Sequence, residues 1–340
     1  MSASISPAPF PVVRPADLKA SAAATTPWLI DQLWTANAVG IIGGAPKSLK
    51  TWMALEMAVS VASGSACLAT YDVPSPGPVL LYAAEDSESA LRLRLESLAQ
   101  HHALPLASLD IRVITTETLR LDRAADQERL EATVQLHRPV LLILDPLVRL
   151  HAIDENAAGE IAALLGYLRL LQRKTGAAIA LVHHAKKNVS AHGGAGYSLR
   201  GSSDLYAWVD SFLYLRRHHG QLILSAEHRS ASGAGPLVLE LANPEEGPHL
   251  KLASTLTTAD LSARDPLAEK ILTLLGQSSE PRTADSLRST LQVRNQRLRE
   301  ALQQLVEQGK LVRSSQGYAL ASSSTLPLMM ESISPRVAPR

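Results

Sequence analysis

The stretch that decides the fold is Gly43-Gly44-Ala45-Pro46-Lys47-Ser48-Leu49-Lys50-Thr51, which follows the apolar pair Ile41-Ile42 and runs directly into a helical pattern. It matches the P-loop template at the first glycine (Gly44), the lysine (Lys50) and the hydroxyl residue (Thr51). A strand that turns tightly into a helix presents successive backbone N–H groups to a polyphosphate. We expect Lys50 to reach the β and γ phosphates and Thr51 to ligate Mg²⁺. The sequence therefore predicts that ATP and Mg²⁺ bind here, with the nucleotide held by Gly43, Gly44, Ala45, Pro46, Lys47, Ser48, Leu49, Lys50, Thr51 and Trp52.

One position departs from the template, because Leu49 stands where the second glycine is expected. Glycine permits a backbone conformation that a branched residue disfavours. Lys47 places a second cation beside the phosphates, which offsets part of the lost geometry. The departure puts the rate of hydrolysis in question more than the binding of nucleotide.

The protein has 340 residues and a mass of 36.4 kDa, and its composition is that of a chain able to bury a core. Apolar residues make up 46% and charged residues 19%, which excludes a mainly disordered chain. The 33 Lys and Arg nearly balance the 32 Asp and Glu, so the chain as a whole is no polyelectrolyte binder. A single cysteine, Cys67, excludes an internal disulfide framework and a cysteine-based zinc site. The longest apolar runs are too short to span a bilayer, so we expect a cytoplasmic protein without a membrane partner.

Short apolar runs alternate with amphipathic stretches from Trp28 to about Ala253, which predicts an α/β fold with a mostly parallel sheet and helices on both faces. The later runs are joined by glycine-containing turns and predict terminal strands with a hairpin. The expected strands are Val39–Ile42, Val79–Ala83, Ile111–Ile114, Val140–Leu144, Ile179–Val182, Asp210–Leu215, Leu222–Glu227 and Leu237–Leu241. The expected helices are Thr51–Ala62, Ser87–Gln100, Ala124–His137 and Ala157–Lys174.

A second unit follows this α/β unit. Asp265-Pro266 predicts the start of a helix that reaches about Leu275. Thr283 is the expected cap of a second helix, and Gly309 is expected to end a third. With a hairpin between Leu311 and Leu320, these helices predict a winged helix-turn-helix domain. The expected organisation is a loose arm (1–25), an ATPase domain (26–253), a linker (254–264), a winged helix (265–322) and a disordered tail (323–340).

Three further strand ends carry polar groups that suit ATP hydrolysis. Asp145 ends an apolar strand in the Walker B pattern, beside Thr51, where it would hold Mg²⁺ through water. Glu85-Asp86 follows a strand expected beside the P-loop; we assign Glu85 as the base that polarises the attacking water, while Asp86 could cap the next helix. His183-His184 ends another strand, where a side chain can touch the γ-phosphate. Asp145 and the His183-His184 pair could instead be ordinary polar strand ends.

This ordered set of motifs resembles the RecA-like AAA family ATPases of the RepA type, the hexameric helicases of plasmid replication. By that resemblance Lys50 and Thr51 are the Walker A pair, Glu85 the catalytic glutamate, Asp145 the Walker B aspartate and His184 the γ-phosphate sensor. Arg200 and Arg229 stand at positions similar to the family's motif arginine and arginine finger, with Arg216 and Arg217 as rivals. The motifs that carry the resemblance are Gly44…Lys50-Thr51, Ala84-Glu85-Asp86, Leu144-Asp145-Pro146, Val182-His183-His184-Ala185-Lys186 and Leu199-Arg200-Gly201-Ser202-Ser203.

Two regions could contact DNA. The segment after His184 contains Lys186, Lys187 and several glycines, which suits a sequence-independent grip on single-strand phosphates, although a surface loop without a ligand explains it equally well. The winged helix places cationic and amide side chains near the start of its third helix and on its wing, which suits duplex DNA, although such units also dock proteins. The winged-helix candidates are Arg294, Asn295, Arg297 and Arg313.

The sequence thus favours an ATP-dependent DNA motor or DNA-stimulated ATPase, a RepA-like replicative helicase that acts as a homo-oligomeric ring, a hexamer, on single-stranded DNA. The alternative is an ATP-switched DNA-binding regulator or helicase loader that hydrolyses ATP without unwinding. A P-loop scaffold without turnover is the third option.

Overall fold

A computed structural model of the chain describes residues 10, 12–17, 27–153, 158–184, 203–218, 220–243, 245, 247–253, 266–278, 280–293, 295–307, 309–314 and 316–321. The first part contains the strands β1 (Trp28–Ile30), β2 (Trp34–Thr35), β3 (Val39–Gly44), β4 (Val79–Ala83), β5 (Ile111–Val113), β6 (Leu141–Asp145), β7 (Ala178–His184), β8 (Ser211–His218), β9 (Gln221–His228), β10 (Leu237–Ala242) and β11 (His249–Leu252). Its helices are α1 (Lys50–Ser63), α2 (Glu88–His101), α3 (Ala124–His137), α4 (Ala158–Thr175) and α5 (Ser203–Trp208). Most of the expected arm, the expected linker and the expected tail lie outside the described residues.

The described strands β3 to β11 form one sheet in the order β11-β10-β9-β8-β3-β7-β6-β4-β5. The strands from β8 to β5 are parallel, and β9, β10 and β11 are added antiparallel at one end. The expected α/β fold with a mostly parallel sheet is therefore confirmed. Because β3 is central, the loop that follows it is flanked by the ends of β7 and β8.

The helices cover both faces of the sheet, as the continuous apolar strands predict. One face packs against α1 and α2, whose buried side chains include Met53, Leu55 and Leu98. The other face packs against α3 and α4 through buried residues such as Leu130 and Leu168. Each leucine buried in this way stabilises the fold by about 1.5–3 kcal/mol.

The structure adds elements that the sequence pattern does not reveal. The β1–β2 pair and α5 are too short to show a period, and β11 contains only four residues. The interpretation of Asp86 as a helix cap is wrong, since the Ser87 side chain accepts the backbone N–H of Ala90 at 3.2 Å. Serine is the residue that directly precedes the helix, and its short hydroxyl side chain suits a cap.

The second part has helices α6 (Pro266–Gly276), α7 (Ala284–Leu291) and α8 (Asn295–Glu307) and the antiparallel pair β12 (Leu311–Ser314) and β13 (Gly317–Leu320). These elements share an apolar cluster of their own, which includes Ile271 and Leu302. The Thr283 hydroxyl caps α7 by accepting the N–H of Ser286 at 3.2 Å. The three helices and the hairpin are thus present where expected, while the domain bounds and the winged-helix assignment stay predictions.

Within the part of the chain that the structure describes, no helix combines the length and the apolar character that crossing a membrane requires.

The centre of the sheet gives a stability prediction. A Cβ at Gly40 would lie 2.1 Å from the Ser211 carbonyl oxygen, so Gly40→Ala forces the strands β3 and β8 apart. This change should lower the free energy of unfolding by about 3 kcal/mol or more. Gly166→Ala is the matched control, because Gly166 lies in α4 with nothing within 4 Å of an added Cβ. That control should stabilise by about 0.5–1 kcal/mol. Urea unfolding measures both, and equal stabilities for the two variants would contradict the packing described.

Candidate nucleotide-binding site

The P-loop lies at the carboxyl edge of the sheet, where β3 ends and α1 begins. In the parallel register Gly44 lies opposite Leu215 of β8 and His184 of β7. A Cβ on Gly44 would lie 2.3 Å from the Leu215 carbonyl oxygen and 2.5 Å from the Ser48 hydroxyl. This position therefore accepts only glycine, and the loop can form a close-fitting cradle for phosphate.

Ser48 supports this use of the loop. Its side-chain oxygen is buried and has no hydrogen-bond partner among the described residues, and the residue is only 2% exposed. A buried hydroxyl without a partner is unfavourable by roughly 1–3 kcal/mol. A phosphate oxygen in the cradle would accept its hydrogen bond, so the loop fits a bound polyphosphate.

The Lys50 ammonium is held inside the loop. Its Nζ donates to the Ala45 carbonyl oxygen at 2.9 Å, and the residue is 5% exposed. Burial lowers the pKa of Lys50, while the negative charges of Asp145 and Glu85 act in the opposite direction. An ammonium that has lost most of its hydration is well suited to bind phosphate oxygens.

Asp145 lies at the end of β6 and hydrogen-bonds the Thr51 side chain, as the Walker B pattern predicts. Burial raises the pKa of Asp145 to about 6; the hydrogen bond from Thr51 and the charge of Lys50 lower it, and the charges of Asp86 and Glu85 raise it. A hydroxyl and a carboxylate side by side are oxygen donors of the kind that Mg²⁺ binds, with water completing its octahedron. The residues present therefore fit Mg²⁺.

Leu49 has the backbone conformation that the template reserves for glycine. Its φ is 62° and its ψ is 27°, in the left-handed region, directly before the first residue of α1. Lys47 also has a positive φ, of 64°. A left-handed conformation at a non-glycine residue is unfavourable by about 1–2 kcal/mol, so the loop contains local strain at both positions.

Glu85 follows β4, but the expectation that its strand lies beside the P-loop strand is wrong. The strand β4 pairs with β5 and β6, and β3 instead pairs with β7 and β8, because the chain crosses over between them. Glu85 nevertheless comes close to the site, since the backbone N–H of Ala84 donates to the Asp145 carbonyl oxygen at 2.8 Å. The Glu85 carboxylate accepts a hydrogen bond from Arg149 Nε at 3.1 Å, and both side chains are about half exposed.

Trp52 has a packing role beside the loop. It is partly buried against the apolar cluster of α1, and the Arg94 guanidinium lies 5.6 Å from the centre of its ring. Arg94 also forms an ion pair with Asp86. These contacts fix the start of α1 relative to α2. The sequence pattern reveals neither contact, because Arg94 meets Trp52 and Arg149 meets Glu85 only through packing of segments that are distant in the chain.

The two histidines end β7 next to the loop. His183 lies opposite Gly43 and is 1% exposed, and His184 lies opposite Gly44 and is partly buried. The position of His184 is therefore compatible with contact to the last phosphate.

The candidate arginine fingers are spread over the sheet. Arg229 lies beside the start of β8, four residues or about 13 Å along the strand from the P-loop edge. It forms an ion pair with Asp210 at 3.4 Å, so the structure does not bring it to the nucleotide site of its own chain. Arg216 and Arg217 lie near the end of β8, on the P-loop side. Arg200 lies outside the described residues.

The candidate DNA contacts are described only in part. Lys186, Lys187 and Arg294 lie outside the described residues, and so does the side chain of Arg297. Asn295 is exposed at the first residue of α8. Arg313 is exposed on β12, with its guanidinium 6.0 Å from the Tyr318 ring centre. The C-terminal unit therefore exposes a polar side chain at the start of α8 and another on the β12–β13 hairpin.

The raised pKa of Asp145 predicts that the aspartate destabilises the nucleotide-free protein. Its folded pKa of about 6 exceeds the usual 3.8, so the penalty is absent below about pH 4 and complete above pH 6. Asp145→Asn keeps an acceptor for Thr51 and should raise the melting temperature of the nucleotide-free protein at pH 8 by several degrees. The gain should shrink as the pH falls to 5. Differential scanning calorimetry tests this, and a lower melting temperature at pH 8 would contradict it.

Comparison with known proteins places this site in a family. A RadB recombinase structure is similar at 18% sequence identity and a TM-score of 0.45, covering 63% of this chain and 90% of that chain. A family profile described as the AAA domain matches residues 5–190, more than half of the chain. The matched residues include the P-loop, Glu85, Asp145 and His184. The chain therefore belongs to the AAA domain family and is a P-loop ATP hydrolase.

Proposed function

We propose that this protein is an ATP-dependent DNA motor, a DNA-stimulated ATPase of the RepA type that acts as a ring on single-stranded DNA. The observation that carries the proposal is the meeting of five groups at one sheet edge. The groups come from four different strand ends. They are a buried amine, a hydroxyl, the carboxylate that is hydrogen-bonded to this hydroxyl, a second carboxylate and a histidine. The five are Lys50, Thr51, Asp145, Glu85 and His184.

The loop residues bind and orient the triphosphate in this proposal. Lys50 exchanges the Ala45 carbonyl oxygen for phosphate oxygens, and Ser48 gains the partner that it lacks. Thr51 and Asp145 would hold Mg²⁺, and the ion would neutralise phosphate charge. Asp145 must be ionised to do this, and its pKa of about 6 leaves it ionised at neutral pH.

Glu85 aligns the attacking water once its carboxylate has broken the ion pair with Arg149. The pair is half exposed, and such ion pairs contribute only about 0.2–1 kcal/mol. Releasing the carboxylate therefore requires little free energy. Arg149 lies in a short 3-10 helix that follows β6, so a movement of the chain after Asp145 would change how often Glu85 is free.

His184 couples the nucleotide to DNA in the proposed mechanism. It lies opposite Gly44 and directly precedes the segment with Lys186 and Lys187. Loss of the γ-phosphate would shift the end of β7 and with it that cationic segment. An arginine of a neighbouring subunit completes the site in trans. The candidates are Arg229, Arg200 and the two rivals on β8, Arg216 and Arg217. This arrangement requires a homo-oligomer, and we propose a hexamer.

The C-terminal unit is proposed as a winged helix that contacts duplex DNA. Its exposed Asn295 and Arg313 suit base edges and phosphates respectively, and Arg294 and Arg297 would add charge at the same helix start. In this arrangement the C-terminal unit selects the DNA and the ATPase part acts on it.

Lys50→Ala and Glu85→Gln test the site assignment. Either change should reduce ATP turnover by about 100-fold or more, because a phosphate contact or the base is removed. Lys50→Ala should also abolish nucleotide binding, whereas Glu85→Gln should keep it. Arg92→Ala is a suitable control, since this exposed residue only pairs with Glu96 on α2. Phosphate release and calorimetry measure the two effects, and full turnover in either variant would refute the assigned roles.

Stimulation by DNA tests the motor. Single-stranded DNA should raise ATP turnover, and a forked duplex should be unwound only with ATP. Lys186→Ala/Lys187→Ala should lose the stimulation while keeping basal turnover, because only DNA phosphate contacts are removed. Arg92→Ala/Arg129→Ala removes two exposed charges on α2 and α3 and should change nothing. ATP turnover without unwinding would instead support the ATP-switched regulator or loader.

A further inference from the structure

Two neighbouring carboxylates after β4 are paired with arginines in different ways. Asp86 forms an ion pair with Arg94, and the two side chains are 16% and 32% exposed. The Arg94 guanidinium also lies over the ring of Trp52, so packing holds this pair in place. Glu85 forms its ion pair with Arg149, and these side chains are 47% and 61% exposed. Water and dissolved anions therefore compete with the second pair much more than with the first.

The turn that presents Arg149 is fixed on both sides. Arg149 is the last residue of the short 3-10 helix that follows β6. Leu147 and Leu150, on either side of it, are completely buried. The Leu121 N–H donates to the Leu150 carbonyl oxygen at 2.6 Å and joins the turn to the chain before α3. The backbone at Arg149 is therefore held in place, while its exposed side chain extends to Glu85.

The ion pair uses little of the binding capacity of the Arg149 guanidinium. Within the described part of the chain, its hydrogen bond runs from Nε to Glu85 Oε1 at 3.1 Å. A guanidinium has five N–H donors arranged in a planar fork, and this fork matches two oxygens of a phosphate group. A phosphate that approaches from solvent can therefore make a two-point contact with Arg149 and displace the carboxylate from its single hydrogen bond.

Arg149 also leaves the sheet beside the segment proposed to contact DNA. The strands β6 and β7 are paired and parallel, so the chain that follows each of them starts at the same edge of the sheet. Arg149 comes four residues after the last residue of β6, and Lys186 and Lys187 come two and three residues after the last residue of β7. A strand whose phosphates are bound by the two lysines would therefore pass close to Arg149.

Glu85 lies between this exposed guanidinium and the nucleotide site. Its charge acts on both Lys50 and Asp145, which are buried at the phosphate loop. Its hydrogen-bonded partner, however, is the exposed Arg149 on the solvent side. While this pair is formed, the carboxylate is restrained by a group outside the nucleotide site.

We propose that Arg149 binds a phosphate of single-stranded DNA and that this exchange of partners releases Glu85 for the attacking water. The inference rests on the proposed ATPase function and deepens it, because it names the contact through which DNA raises ATP turnover. Arg149 is then a positioning residue, since it acts through Glu85 and does not touch the nucleotide. An exposed ion pair shifts such an equilibrium by a factor of about two to five, so the exchange accounts for a stimulation of that size.

Arg149→Ala tests the restraint on Glu85. Without its partner the carboxylate is released in the absence of DNA, so basal ATP turnover should rise by about two- to fivefold while KM for ATP stays unchanged. Single-stranded DNA should then add little further stimulation. Arg149→Lys keeps a cation at this position and should restore the low basal turnover. Arg92→Ala is the matched control, because it breaks an ion pair of similar exposure with Glu96 and should change neither value.

A double variant shows whether Arg149 acts through Glu85. Glu85→Gln already lacks the charged partner, so adding Arg149→Ala to it should change the residual ATP turnover by less than twofold. An increase as large as the one that Arg149→Ala causes alone would show that Arg149 acts independently of Glu85, and it would contradict the exchange.

DNA binding provides a measurement that needs no hydrolysis. Fluorescence anisotropy follows the binding of labelled single-stranded DNA to the full chain over a series of salt concentrations. Arg149→Ala removes one phosphate contact, so binding should weaken several-fold and the slope of log affinity against log salt should fall in magnitude by about 0.7. Arg149→Lys should keep the slope, and Arg92→Ala should keep both the affinity and the slope.

The outcomes separate this inference from the proposed function. Lower turnover of Arg149→Ala or an unchanged salt slope would overturn the exchange, and so would a raised KM for ATP, which would place Arg149 on the nucleotide instead. DNA stimulation of equal size in Arg149→Ala and in the unchanged protein would overturn the exchange alone. If Glu85→Gln kept full turnover, or if DNA bound to the unchanged protein without stimulating it, the proposed function would fail, and the exchange with it.

Discussion

The burial of one ammonium group governs the chemistry of this fold. Lys50 has lost most of its hydration, and its pKa is lowered by burial while Asp145 and Glu85 favour its charge. Among the residues that the structure describes, the Ala45 carbonyl oxygen accepts its hydrogen bond. A buried charge with such partial compensation is unfavourable, and an anion with several oxygens relieves it. A bound nucleotide would therefore give the ammonium further acceptors, which would tie binding to stability.

Such a site needs a rigid support, and α1 provides it. Ten of its residues are buried, including Glu56, whose carboxylate accepts the backbone N–H of Leu68 at 2.8 Å and contacts His102 Nε2 at 3.2 Å. These contacts join the second turn of α1 to the chain after the helix and to the end of α2. The phosphate-binding end of the helix is thus held by polar contacts one and a half turns away, which limits how far Lys50 can relax.

The sequence predicts those features that depend on local pattern. Apolar runs and helix periods locate the central strands, and the P-loop, Asp145 and the cap at Thr283 follow from residue types at fixed spacing. Strand order does not follow from such patterns, because crossover connections decide it. The sequence pattern therefore predicts Glu85 on a strand next to β3, whereas β6 and β7 lie between β3 and the strand of Glu85. Pairs such as Glu85 with Arg149 depend on tertiary packing and leave no signal in the sequence.

Leu49 shows how a departure from a template acquires meaning only in three dimensions. In the sequence it indicates a loop with impaired geometry, since a branched residue replaces glycine. In the structure the backbone adopts the left-handed conformation anyway, and Met53 donates to its carbonyl oxygen at 3.1 Å as the first helical hydrogen bond. The strain of about 1–2 kcal/mol is small against the packing of the buried helix. The loop therefore keeps its geometry although a branched residue stands where the template has glycine.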